Sequence, residues 1–243
     1  MSHTPTTTDR ATWPQQIRLP GQAAAPEGPI DLTTMFVMHH AFRRDLAAFA
    51  TAAATTPVED RRTWVALAER WALFAAILHH HHHGEDAGLW PLLAERSDAA
   101  GREVLAAMEA EHAEIDPLLE ASAAGFERLA RTADEDVRAA LAVRLAAARE
   151  SLGRHLEHEE TEALAIAQAV MTEEEWVHME MEHFRRSMSP RMLLKVVPWA
   201  AHGAPREQRE EVLSRSGLAN RVIVALTRRG FEARERVAFR YLG

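Results

Sequence analysis

The chain has 243 residues, enough for one large domain or for one domain with an extension. It contains no cysteine, which excludes disulfides, thiolate catalysis and thiolate metal sites, and its low glycine content favours an all-helical fold. The net charge of −8 is uneven, with −14 on residues 1–189 and +6 on residues 190–243.

The first predicted element is a disordered lead-in over residues 1–29, which is rich in Thr, Pro, Ala and Gln. Asp31 or Thr33 is then expected to cap a first helix over about 32–55. Apolar residues recur along this helix at steps of three and four, and His39 falls on the same stripe. One imidazole is therefore predicted to face the core.

The second predicted helix covers about 59–88 and carries a run of five histidines, His79–His83. The apolar spacing that leads into this run continues onto His81 and then Glu85. We expect Pro91 to break the helix. A carboxylate on a core-facing stripe is costly unless it is paired or bound to a metal.

The next two helices repeat this feature. The third, over about 98–131, has His112 on its apolar stripe. The fourth, over about 134–170, has His155 and, one turn later, Glu159 on its inward face. Four successive helices thus place a histidine where an apolar residue is expected, and two of them add a glutamate.

A C-terminal helical extension follows, over 171–243. Thr172 and Glu175 form a capping box for a fifth helix. Shorter helices are predicted beyond it, at about 190–202, 205–215 and 218–240.

The histidines also have explanations that involve no metal. The run could be an expression tag or a solvated helix end, and a lone core histidine is more often structural than a ligand. Four in phase, two of them with a carboxylate, indicate a metal site instead. Carboxylates that bridge imidazoles on facing helices describe a dinuclear centre. Nitrogen and oxygen ligands without sulfur suit iron or manganese, and zinc less distinctively.

The order His, His-x-x-x-Glu, His, His-x-x-x-Glu resembles the hemerythrin-like (HHE cation-binding) family over about 30–170. Short sequence segments around these residues also resemble the family: Arg43-Arg44-Asp45-Leu46, Gly84-Glu85-Asp86, Trp90-Pro91, Ile115-Asp116-Pro117 and Glu159-Glu160. This resemblance implies an up-down four-helix bundle over 30–170 with the C-terminal extension behind it. It also implies two non-haem, carboxylate-bridged iron ions, held by His39, His81, Glu85, His112, His155 and Glu159, with the two glutamates as bridges.

The chain departs from the family pattern in the number of histidine ligands. Oxygen-carrying hemerythrins have five histidines and two carboxylates, with a second histidine where Asp116 stands here. The fifth nitrogen is therefore missing or comes from His82, and Asp116 either binds or does not. Simple oxygen carriage is accordingly not implied.

The expected function is binding of oxygen, nitric oxide or peroxide at the iron pair, with peroxide-decomposing activity left open. The alternatives are an iron or zinc storage or sensing module with interaction helices, and a structural bundle without metal. We expect a cytoplasmic protein without a membrane partner, because no apolar run reaches spanning length. The basic C-terminus is expected to pack on the acidic helices rather than bind nucleic acid. The oligomeric state is left open.

Overall fold

The structure is a computed structural model that describes residues 10–186 and 188–242, and these residues form helices and connections without a β-strand. The predicted all-α class is confirmed. The helices are α1 (Thr33–Thr55), α2 (Arg61–Gly84), α3 (Trp90–Arg96), α4 (Ala99–Leu129), α5 (Glu135–His158), α6 (Leu164–Val170), α7 (Glu173–Met179), α8 (Pro190–Ala201), α9 (Arg206–Arg215) and α10 (Gly217–Ala238). Wider, π-helical turns follow α2, α5 and α7 at Glu85–Leu89, Glu159–Ala163 and Glu180–Arg185. None of the described helices is both long and apolar enough to cross a membrane.

Side-chain caps explain where several helices begin. Asp60, Asp98 and Asp134 precede α2, α4 and α5, and each carboxylate accepts a hydrogen bond from a backbone N–H in the first turn. Thr172 and Glu175 form the predicted capping box of α7. These bonds satisfy N–H groups that the helices themselves leave unpaired.

The start of α1 differs from the prediction. Leu32 occupies the N-cap position and makes no side-chain hydrogen bond there, so the prediction that Asp31 or Thr33 caps this helix is wrong. The Asp31 carboxylate instead accepts bonds from the Thr33 backbone N–H at 3.0 Å and from the Thr33 hydroxyl at 2.5 Å. Asp31 therefore satisfies the first N–H of the helix from one residue before the N-cap position.

The predicted break at Pro91 is also wrong. The helical backbone runs from α2 through the π-helical turn into α3 and ends only at Arg96. The backbone N–H of Trp90 bonds to the Glu85 carbonyl, five residues back. Because this wide turn already changes the bonding register, Pro91 sits in a first-turn position where its missing N–H is tolerated.

A defined N-terminal segment also departs from the prediction of a disordered lead-in over 1–29. Residues 1–9 lie outside the described residues, but residues 10–32, here called the N-terminal strap, lie against the helices. Ile17 is buried in an apolar cluster, and the Gln168 side chain of α6 bonds to the backbone N–H and carbonyl of Ile30. Composition did not reveal this path because the many Thr, Pro, Ala and Gln residues obscure the few apolar ones that are buried, to which the backbone hydrogen bonds add: Ile17, Leu19, Ala25, Ile30 and Leu32.

Two apolar cores flank a polar layer along the four long helices. The first core contains Phe49, Trp71, Phe126 and Leu145, and the second contains Phe36, Leu89, Met108 and Leu164. In α1 the second core comes before His39 and the first core after it. Along α2 the first core comes before the second. Along α4 the second core again comes before the first, and from α5 into α6 the first core comes before the second. The histidines and glutamates of the sequence motif therefore lie between two dry regions.

The C-terminal helices α8 and α10 pack on α1 and α2. Trp199 and Phe231 enter the first core, and the Trp199 indole N–H donates a hydrogen bond to the Asp45 carboxylate at 2.6 Å. Arg70 pairs with both Asp45 and Glu235 in a buried ionic network. The residues after 170 are thus joined to the long helices by buried contacts, while the proposed domain boundary itself stays a prediction.

Candidate metal centre

Seven side chains in the polar layer form two groups. The two-histidine group comprises His39, His81, Glu85 and Glu159, and the three-histidine group comprises His82, His112 and His155. Within each group, one nitrogen or oxygen atom per residue lies within 4.8 Å of the others. All seven residues are buried. The structure brings the six residues predicted as ligands into these groups and adds His82.

The two glutamates connect the groups. The separations are 3.0 Å for His81 Nε2–Glu85 Oε1, 3.6 Å for His112 Nε2–Glu85 Oε2, 3.2 Å for His39 Nε2–Glu159 Oε2 and 3.8 Å for His155 Nε2–Glu159 Oε2. Each carboxylate therefore lies near one histidine of the two-histidine group and one histidine of the three-histidine group. This is the placement of a bridging ligand in a dinuclear centre.

The polar atoms of these residues fit a bound cation. Two ligand atoms that each lie about 2.1 Å from one ion are about 3.0–3.4 Å apart at tetrahedral or octahedral angles, close to the shorter separations above. Eight buried atoms make no hydrogen bond of normal geometry, although two pairs of them lie only 3.0 and 3.2 Å apart: His39 Nε2, His81 Nε2, both ring nitrogens of His82, and both carboxylate oxygens of Glu85 and Glu159. Because unpaired buried polar atoms are costly, coordination to a cation accounts for their arrangement.

The charge states point the same way. Burial lowers the pKa of His81 and His82 well below the ordinary value, so both imidazoles are neutral, the form that binds metals. Burial also raises the pKa of Glu85 well above its usual value, and the negative charge of Glu159 adds to this effect. His39 is the exception: burial works to lower its pKa, but the neighbouring carboxylates outweigh it and raise the pKa to about 9, so this imidazole is protonated without metal and would release that proton when a cation binds. A cation between the glutamates would relieve their repulsion.

Glu85 and Glu159 are each the first residue of a π-helical turn. Glu85 opens the turn Glu85–Leu89, and Glu159 opens the turn Glu159–Ala163. Such turns insert one extra residue into the helix and are frequent at functional sites. The acidic residue that follows each glutamate, Asp86 or Glu160, also reaches a histidine of the site.

Three histidines are oriented by carboxylates outside the two groups. The pairs are His39 Nδ1–Glu160 Oε1 at 2.9 Å, His112 Nδ1–Asp86 Oδ1 at 2.8 Å and His155 Nδ1–Glu111 Oε2 at 2.9 Å. A carboxylate that accepts the Nδ1 proton leaves Nε2 free to bind a metal and fixes the ring orientation. Sequence analysis missed these roles, although each acidic residue directly neighbours a predicted ligand.

A fifth imidazole, that of His82 on α2, lies close enough to the other ligands to take part in the site. His82 stacks on His112, with ring centroids 3.9 Å apart and planes inclined by 10°. Asp116 is partly exposed and belongs to neither group. The neighbouring His79 and His83 are exposed, so only part of the histidine run faces the site. Of the two alternatives for the fifth position, the geometry favours His82.

Comparison with known proteins gives one result that bears on this site. The sequence model of the hemerythrin HHE cation binding domain matches residues 31–167, which include all seven side chains. The comparison with curated proteins gave no match, and neither did the comparison with solved structures. Since the matched region is more than half of the chain, the protein belongs to the hemerythrin HHE cation binding domain family.

Proposed function

We propose that this chain binds two iron ions, one at each group of ligands, with Glu85 and Glu159 as bridges. The observation that carries the proposal is the meeting of five buried imidazoles and two buried carboxylates in one layer, with eight of their polar atoms unpaired. The alternating order of the two cores along α1, α2, α4 and α5 supports an up-down four-helix bundle. In that fold, facing helices direct their ligands into the interior.

The choice of iron rests on the donor atoms. Five nitrogens and two bridging carboxylates, without any thiolate, suit iron or manganese, whereas structural zinc sites usually close with four ligands and often with sulfur. A three-histidine and a two-histidine group sharing two carboxylates leave coordination positions for an external ligand. The absence of cysteine also agrees with the cytoplasmic location that we propose.

We infer that the external ligand is oxygen, nitric oxide or peroxide, handled with or without turnover. Two bound irons would supply an exchangeable coordination position and a change between ferrous and ferric states. The chain's residues keep this position dry: the rings of Phe42 and Phe184 pack on His81, with centroids 5.1 and 5.9 Å away. Asp86 and Glu111 hold the Nδ1 protons of His112 and His155 and so keep each Nε2 directed inward.

A second candidate function is metal sensing, with the C-terminal helices as an interaction module. One observation favours it: Leu218, Val222 and Leu226 recur every four residues on α10, and Leu218 and Leu226 are 74% and 79% exposed. An exposed apolar stripe of this kind often marks a binding surface. In this case the metal site would respond to metal supply rather than to peroxide.

Peroxide separates the two functions. Untagged protein is loaded anaerobically with iron or with zinc, and its visible spectrum and peroxide consumption are recorded beside those of Glu85→Ala and of the exposed-site control His83→Ala. We expect iron-loaded wild type and His83→Ala to show a charge-transfer band that responds to peroxide, and Glu85→Ala to show neither. Iron-loaded protein that is spectroscopically silent and inert to peroxide would overturn the redox function and leave the sensing function.

A further inference from the structure

Glu160 is a buried carboxylate whose hydrogen bonds come from two separate parts of the chain, helix α1 and the N-terminal strap. Its side chain is fully buried. Oε1 accepts bonds from His39 Nδ1 at 2.9 Å and from the Arg43 guanidinium at 2.7 Å, and Oε2 accepts a second Arg43 bond at 3.0 Å. The fourth donor is the backbone N–H of Ala23, 2.7 Å from Oε2. These donors saturate the carboxylate and hold it in one orientation.

The corresponding carboxylates on the other side of the site are less constrained. The side chains of Asp86 and Glu111, which orient His112 and His155, are 33% and 30% exposed. Glu160 therefore differs in being fully buried, and one of its four hydrogen bonds comes from the N-terminal strap. Ala23, the strap residue that bonds to Glu160, lies before residue 31, where the match to the family begins.

The position of the strap is fixed independently of Glu160. Gln168 bonds to the backbone of Pro26 and Ile30, and Gly28 lies so close to Gln168 that an added Cβ would approach its Oε1 to 2.2 Å. A further bond joins the Pro20 carbonyl to His40 Nδ1. Because the strap is held at several points, it can present the Ala23 N–H to Glu160 in a defined geometry.

We infer that the N-terminal strap is a positioning element of the metal centre. The Ala23 N–H fixes Glu160, Glu160 fixes the tautomer and ring orientation of His39, and His39 in turn directs Nε2 towards the two-histidine group. This inference rests on the proposed metal binding. Loss of such an outer partner typically weakens metal affinity by about 10–100-fold. The effect is expected for the ion at the two-histidine group and not for its neighbour.

Substitutions at Ala23 test this directly, because the side chain is exposed and only the N–H is used. Ala23→Pro removes the N–H, and Ala23→Gly keeps it as the matched control. Glu160→Gln replaces an accepting oxygen with a donor and is the second variant. Anaerobic Co²⁺ titration, followed by visible absorption and by bound metal per chain, gives the affinity of each of the two ions.

We expect wild type and Ala23→Gly to bind two Co²⁺ ions, and each ion to bind Ala23→Gly as tightly as it binds wild type. Ala23→Pro and Glu160→Gln should bind one of the two ions about 10–100-fold more weakly and the other with wild-type affinity. Wild-type affinity for both ions in Ala23→Pro, or equal weakening of both ions, would overturn the inference and leave the proposed metal centre standing. If wild type binds no Co²⁺, the proposed function fails and this inference fails with it.

A measurement on the wild-type chain tests the inference without any substitution, so its result does not depend on whether the variants fold. Coupling between two sites is reciprocal, so a strap that strengthens metal binding must itself be strengthened by the metal to the same degree. Hydrogen exchange of the Ala23 amide, measured by NMR without metal and with Co²⁺, should slow by the same 10–100-fold factor. Exchange that is unchanged by Co²⁺ would contradict the inference even if both variants fail to fold.

Discussion

At the scale of single residues, Glu85 shows how the site and the stability of the fold oppose each other. The residue is completely buried, and neither of its carboxylate oxygens has a hydrogen-bond partner. Glu159, the other carboxylate proposed as a bridge, adds negative charge nearby. A side chain selected only for stability would not be a glutamate at this position, because burying its carboxyl costs free energy either as an unpaired charge or as the uptake of a proton.

The first prediction concerns the metal-free protein. Glu85→Gln keeps the size of the side chain but removes its charge, so we expect unfolding free energy to rise by about 1–3 kcal/mol at pH 8. Burial raises the pKa of Glu85, so the folded state holds a proton that the unfolded state releases near the ordinary value. Wild-type stability therefore falls as pH rises above that ordinary value, and the advantage of Gln shrinks towards pH 5.

Urea denaturation of both proteins at pH 5 and pH 8, with a chelator present, measures this difference. The same variant should bind less metal than wild type. A Glu85→Gln protein that is less stable than wild type at pH 8 would show that Glu85 is a structural residue.

The second prediction separates two adjacent histidines. His82 is buried in the three-histidine group, whereas His83 is exposed. We expect His82→Ala to lower bound iron to about one ion per chain or less and His83→Ala to leave it at the wild-type value. Metal analysis after anaerobic loading and desalting gives the stoichiometry. Equal iron content in the two variants would remove His82 from the site.

Most of the ligand set could be predicted from the sequence, but not all of it. Periodicity and the family resemblance together identified His39, His81, His112 and His155 because each replaces an apolar residue. They could not select His82, since only one residue of the five-histidine run continues the apolar stripe. Whether an adjacent imidazole also reaches a ligand depends on where the neighbouring helices lie, and that is a tertiary property.

At the scale of helices, the π-helical turns are the feature that the sequence pattern did not show. Hydrophobic periodicity predicted one continuous fourth helix, and the backbone is indeed helical from Glu135 to Val170, but the turn Glu159–Ala163 widens it. The extra residue per turn accompanies the rotation that brings Glu160 as well as Glu159 to the site. No local residue type specifies such a turn, so the role of Glu160 could not be predicted.

The third prediction concerns the attachment of the C-terminal helices. Asp45 of α1 accepts hydrogen bonds from Trp199 of α8 and from Arg70, which also pairs with Glu235 of α10. Asp45→Ala leaves Arg70 buried with one partner fewer, and breaking a buried ion pair costs about 3–5 kcal/mol. We therefore expect a loss of that size in urea denaturation.

An exposed ion pair provides the control for this change. Arg154→Ala removes a solvated i,i+4 pair with Glu150 and should cost less than about 1 kcal/mol. A similar, small effect of both substitutions would mean that the Asp45 network does not hold α8 and α10 in place.

At the scale of the whole molecule, residues outside the family match close the metal site on two sides. Ala23 of the strap reaches the site through Glu160, and the segment after residue 167 places Phe184 against His81. Gly84 allows this approach, since an added Cβ there would lie 2.7 Å from the Phe184 ring. The centre is thus enclosed by more of the chain than the family region alone.

The net charges of the two parts of the chain predicted that the C-terminal helices would pack on the long helices, but not through which residues. The acidic residues 1–189 and the basic residues 190–243 were expected to attract each other. The buried link has the opposite polarity, because Arg70 comes from the acidic part and Glu235 from the basic part. Summed charge describes the solvated surface, whereas a few buried pairs are set by packing.

The most direct test of the account is anomalous X-ray diffraction at the iron absorption edge from crystals of iron-loaded protein. The account predicts two peaks between the polar side chains, about 3.5–4 Å apart, one at the two-histidine group and one at the three-histidine group. Glu85 and Glu159 should each contact both peaks. A single peak, peaks away from these seven residues, or no peak in crystals grown from iron-containing protein would contradict the two-iron centre.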